Sequence, residues 1–197
     1  MEQVLSFLRL QGENMKNHFR HIIIIFALVF ITGGVMASVQ VENSKMSRSE
    51  KRAAENEQLY LMNKQIIEER GFVLESDFLR DRYGFQIPVT RNINFILVDG
   101  DQAIIQIGSN VGLGPNGVGG VTAKGRITKW ELNENERKKT FNIRMNVLTS
   151  IGMYDVSLSI GNHNATARLT GLHPGNLTFN GDLVALEESQ VYAGRSL

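Results

Sequence analysis

From residue 92 onward the chain is a succession of short β-type runs, nearly all separated by only a few residues. This spacing constrains the fold more than any other feature. A parallel crossover needs a dozen or more residues, whereas an antiparallel hairpin closes with two. Runs at 92–98 and 102–107 flank Asp99-Gly100, a dipeptide suited to a type I′ turn with φ > 0. Residues 140–149 alternate cleanly, with Phe141, Ile143, Met145 and Val147 on one face and Asn142, Arg144 and Asn146 on the other. Further runs over 121–132, 156–160, 165–170 and 177–186 are bounded by turn signals, among them Pro174-Gly175 at the centre of a type II turn. Such spacing predicts an antiparallel sandwich or barrel. The expected fold is mainly β, a meander of about eight strands, with a lipocalin-like barrel favoured. The last run changes phase from Leu177, Phe179 and Leu183 to Val184 and Leu186, which predicts a bulge near Gly181-Asp182. Both strands of the Asp99-Gly100 hairpin are apolar on two faces, which predicts cover on both sides, the helix described below supplying one.

The exception to the short spacing is the glycine-rich run 108–120. Glycine there opposes helix and regular strand alike, and loops of this length inside compact domains are usually functional or disordered. Asn110 and Asn116 supply its amide side chains. With Arg126, Trp130 and Arg144 on the following runs, they make up the candidate ligand-binding residues. Tryptophan and arginine are over-represented at binding hot spots. The competing reading of Trp130, the chain's single tryptophan, is a side chain that closes one end of the barrel.

The first half of the chain reads differently. A basic stretch from Met15 to His21 precedes the apolar run Ile22 to Ile31, and Val35 and Ala37 stand at −3 and −1 of a cleavage site. That is the pattern of a secretory signal peptide over residues 1–37, with Met15 as an alternative start. The apolar run falls well short of the ~20 residues of a spanning helix. The expected mature protein is therefore periplasmic or secreted, with no stable membrane span. Residues 38–46 read as a linker. Ser47 and Glu50 have capping-box spacing at the head of a helix over 47–70, with Leu59, Met62 and Ile66 as its apolar stripe and Gly71 as its C′ stop. The β domain is expected over 71–187 and a loosely ordered tail over 188–197. The segment 77–84 reads as charged and turn-rich, with Arg80 and Arg82 ion-paired to Asp77 and Asp81.

Composition removes several function classes. Without residues 1–37 the basic and acidic residues are equal in number, so a nucleic-acid partner is not expected. There is no cysteine, which excludes a disulfide framework, a thiolate nucleophile, a thiolate metal site and a lipidated N-terminal cysteine. Gly112-Leu113-Gly114-Pro115-Asn116-Gly117 matches the dinucleotide fingerprint in letters, but a β-type run follows where a helix is required. His163 and His173 lie in turns without a recognisable third ligand, so no metal or other cofactor is expected. No Gly-x-Ser-x-Gly occurs and no catalytic residue is assigned.

The stretches FVLESDFLRDRYG at 72–84, VDGDQA at 98–103 and GPNGVGG at 114–120 resemble a DUF4251-like family of small exported Bacteroidetes proteins, catalogued only as a domain of unknown function. The resemblance implies an exported domain of a Gram-negative envelope. It transfers no activity, cofactor or site. The expected function is a non-catalytic envelope module that binds a small apolar ligand or a protein partner. The alternative is a periplasmic hydrolase whose site forms only in three dimensions.

Overall fold

A computed structural model describes residues 47–108, 120–171, 176–194 and 196; the expected leader and linker, most of the glycine run and the turn expected at Pro174-Gly175 lie outside them. The helix α1 (Arg48–Glu68) is followed by β1 (Gly71–Arg80), β2 (Gln86–Pro88), a 3-10 turn (Arg91–Ile93), β3 (Phe95–Asp99), β4 (Gln102–Ile107), β5 (Val121–Asn135), β6 (Thr140–Thr149), β7 (Gly152–Ile160), β8 (Ala165–Thr170) and β9 (Asn176–Ala185). Every described pairing is antiparallel. The order β1-β3-β4-β5-β6-β7-β8-β9 returns from β9 to β1, closing an eight-strand barrel, and β2 is an extra strand on the edge of β1.

Closure puts one face of each strand inside. Phe72, Leu74, Ile96, Ile105, Phe141, Ile143, Met145, Val156, Leu158 and Phe179 belong to one buried cluster that fills the interior. An eight-strand barrel is just wide enough to be filled in this way. Each such side chain contributes on the order of 1.5–3 kcal/mol on burial.

Two bulges reset the inward phase. In β5 the register slips between Ile127 and Lys129. Thr128 is the extra residue, so Ala123 and Ile127 point inward before it and Trp130 after it. The second slip lies in β1, between Ser76 and Phe78, opposite Gly181 and Asn180. The expected bulge in β9 is thus displaced onto its partner. β9 keeps its phase, with Leu177, Phe179, Leu183 and Ala185 all against the core. The buried Ser76 hydroxyl lies 2.8 Å from the Phe78 carbonyl and 3.2 Å from the Asn180 carbonyl, which restores polar contacts at the break. At Gly181 a Cβ would strike the Glu75 carbonyl, so the seam requires glycine there.

Other boundaries differ from expectation. β1 runs to Arg80, and Asp77 pairs with Arg91 instead of with its arginine neighbours. Asp81 caps the turn that follows, accepting from the Tyr83 and Phe85 amides at 2.9 Å each. In the β3–β4 hairpin Asp99 faces Gln102, so the loop residues are Gly100 and Asp101. Only Gly100 has positive φ (+59), the type II′ pattern and not type I′. The outer faces of β3 and β4 are covered by the chain after β9, not by α1. The Tyr192 amide donates to Asn92 O (2.8 Å), and the wholly buried Gln106 binds Tyr192 O and Ile93 O through Nε2. Gln106 Oε1 accepts from Thr122 Oγ1 and the Gly194 amide. All four hydrogen-bonding positions of that amide are used. The tail expected to be loose is anchored through residue 194.

Candidate functional site

The helix sits at one end of the barrel. Its Ser47 and Glu50 form the reciprocal capping box. The chain leaves the helix through Arg70 at φ 53, so a non-glycine residue, and not Gly71, takes the left-handed C′ position. The buried face of α1 is Tyr60, Asn63, Ile66 and Ile67; Leu59 is half-buried, and Met62, expected in the stripe, is exposed. Polar contacts do much of the docking. The Tyr60 ring stacks on Phe141 at 5.3 Å, its hydroxyl donates to Glu134, and Lys64 Nζ reaches both Glu134 oxygens at 2.9 and 3.0 Å. Lys139 pairs with Glu57, and Asn63 Nδ2 donates to Gly161 O at 3.2 Å. The Tyr60 hydrogen bond, then Lys64, holds Glu134 below the usual carboxylate range, while Glu134 raises both Tyr60 and Lys64.

Between α1, the β7–β8 turn and β9 lies a cleft of about 200 Å³. Leu59, Met62 and Leu183 give it apolar walls, and Asn63, Asn162 and His163 give it polar ones. His163 Nε2 lies 3.0 Å from Asn56 Oδ1. Asn162 Oδ1 is buried and has no hydrogen-bond partner among the described residues. A buried acceptor left unsatisfied by the domain is completed by an ordered water or by a turn of the amide toward the cleft. Among the described residues no three His, Asp or Glu groups converge as metal ligands would.

A family model described as Domain of unknown function (DUF4251) matches residues 54–183. The chain belongs to this family. Its barrel is similar to a crystal structure of a DUF4251 family protein from Bacteroides eggerthii DSM 20697, at 27% sequence identity and a TM-score of 0.58, over 69% of this chain and 93% of that one. Among curated proteins none matches. The DUF4251 match runs from the second turn of α1 to Leu183, so it includes the docked helix face and every wall of the cleft. It stops short of the tail that Gln106 holds.

Of the candidate residues read from this DUF4251 sequence, the three that are described do not share one face of the barrel wall. Asn110 and Asn116 lie outside the described residues. Arg126 precedes the β5 bulge and is exposed on the outer wall beside Leu148. Trp130 follows the bulge and faces the opposite way. It packs against the core 6.4 Å from the Phe72 ring, with the Arg70 guanidinium 4.7 Å above it. That is the barrel-closing role. Arg144 is outward on β6, opposite Glu131, whose carboxyl is lowered first by Lys129. His173 lies outside the described residues. Sequence reasoning passed over Asn162 and Asn63, and named Leu59 only in the apolar stripe of the helix. Their shared signal is weak: one buried helix face and one turn, joined only when the barrel closes.

Proposed function

We propose that this domain is a non-catalytic binding module of the cell envelope and that it works through its exterior. The filled interior carries the reading: Phe72, Phe141 and Phe179, each buried to within 1%, occupy the space in which a lipocalin-type barrel would hold an apolar ligand. Recognition then falls to the surface, where the helix-end cleft sets apolar walls beside polar ones. About 200 Å³ is below the ~300–1,000 Å³ of small-molecule pockets but suits one side chain of a protein partner. A segment that fills the cleft with an apolar side chain and meets the polar wall of Asn63, Asn162 and His163 satisfies both kinds of wall. Export is part of the same proposal, resting on the leader pattern of residues 1–37.

Photo-crosslinking in the native host tests it, with the crosslinker at Met62 on the cleft rim or at Lys51 on the exposed helix face. One defined adduct from Met62, lost in Asn162→Leu, is the expected result. Equal labelling from both positions would sink the cleft. N-terminal sequencing of the mature protein is expected to begin at Ser38.

A further inference from the structure

The second concavity of interest lies at the other end of the molecule. Its position comes from strand register. On the outer wall Arg80 of β1 stands opposite Thr178 of β9, and Thr178 opposite Arg168 of β8. The two arginines are therefore two strand spacings apart, roughly 9–10 Å between Cα atoms, with a small hydroxyl residue between them. Each long side chain reaches the space above Thr178. With Arg82, Thr166 and Asn176 they line a cleft of about 380 Å³.

Neither Arg80 nor Arg168 has an ion-pair or hydrogen-bond partner among the described residues. The contrast with Arg91 is instructive. That guanidinium is held between Asp77 and Asp182 and serves the fold. The carboxylate within the cleft, Asp81, is committed through Oδ1 to the amides of Tyr83 and Phe85. Arg82 leans over the Tyr83 ring, its Cζ 4.6 Å from the centroid. The cleft is thus locally cationic in a domain whose charges balance as a whole. An exposed arginine is ordinarily just solvated. Here two face one concavity whose remaining lining includes two threonine hydroxyls and an amide.

The geometry points to a binding site for a tetrahedral oxyanion, a phosphate or sulfate ester, held by Arg80 and Arg168 above Thr178. Guanidinium forks pair bidentately with such anions, and a lysine would supply charge without that geometry. The volume exceeds what one oxyanion needs and falls within the range for small-molecule ligands. Thr166, whose hydroxyl donates to Asn180 Oδ1 and is left as an acceptor, and the Asn176 amide match the hydroxyls of a sugar carrying the ester. The same chemistry is offered by a soluble sugar phosphate and by a phosphorylated lipid headgroup.

The test uses the domain with its tail, titrated at low salt with glucose 6-phosphate and with glucose, and incubated with vesicles of phosphatidylglycerol or of phosphatidylcholine. NMR shifts confined to residues 80–84, 166–168 and 176–178 and saturating with glucose 6-phosphate, with none from glucose, are expected. Arg80→Lys with Arg168→Lys keeps the charge and is expected to weaken binding at least tenfold at unchanged melting temperature, whereas Arg137→Gln changes nothing. Vesicle binding that depends on the same two arginines, without binding of the soluble ester, assigns the lipid source. Failure of both ligands overturns the proposal, as does equal binding by the double lysine variant. The outcome is independent of crosslinking at Met62, which lies in the other cleft.

Discussion

Gly100 takes φ +59 at the first loop position of the β3–β4 hairpin, and a Cβ built on it meets nothing within 4 Å. A side chain there is opposed by backbone conformation alone. Gly100→Val should therefore destabilise the domain by about 1–2 kcal/mol, well beyond a surface change, as read by urea denaturation. Loss of less than ~0.5 kcal/mol would contradict the turn assignment. Gln106 is the opposite kind of residue, holding the tail with every atom of its amide. Gln106→Leu should lower the melting temperature by a few degrees, because each buried partner left unsatisfied costs about 1–3 kcal/mol unless it regains water. It should also bring the amides of Tyr192 and Gly194 into rapid hydrogen exchange. Slow exchange there in the variant would mean that other contacts hold the tail. Nothing in the sequence marked Gln106. A polar letter within a β run reads as an outward, wet position, and here the outward position is dry.

At the scale of elements, α1 depends on the Tyr60–Lys64–Glu134 cluster, and that dependence has a pH signature. Glu134 is depressed in the folded state, so its contribution is present above the ordinary carboxylate range and fades as pH falls through its lowered value. Tyr60 and Lys64 are raised, so theirs is present below their ordinary values and fades as pH rises through the raised ones. Tyr60→Phe should therefore melt below the natural protein at pH 7, and the gap should shrink in acid and again in strong alkali. A gap independent of pH would show that the stacking on Phe141 is all that Tyr60 provides. Legibility also divides by element. β6 was readable because a half-buried strand without irregularities writes its alternation plainly, from Phe141 to Val147. β5 was not, since the single extra residue Thr128 reverses every side chain after it and separates Trp130 from Arg126. No residue type announces that bulge. The tail was inferable in principle. Outward Val73 and Phe95 are wholly buried, and apolar residues on both faces require a cover that the helix, already at the barrel end, does not supply.

For the whole molecule, the short connections specified a meander, and the barrel follows from pairing its first and last strands. β4 and β5 are in register up to Ile107 opposite Val121, a separation that a loop of a few residues bridges. Replacing residues 114–119 with Ser-Gly should leave the melting temperature within a few degrees; unfolding would make that run structural. The chain order also bears on how fast the domain folds. Every ladder but one joins elements close in sequence, whereas β1 meets β9 only after about a hundred intervening residues are brought round. On loop-closure cost the seam is expected to assemble last and to part first. Weakening it with Phe179→Leu should speed unfolding in a chevron experiment and leave the refolding limb nearly unchanged, while Val156→Ala in the β6–β7 hairpin slows refolding. A refolding limb equally slowed by both would mean that the ends meet early. The stretch of chain that closes the barrel would then set its lifetime no more than any other hairpin does.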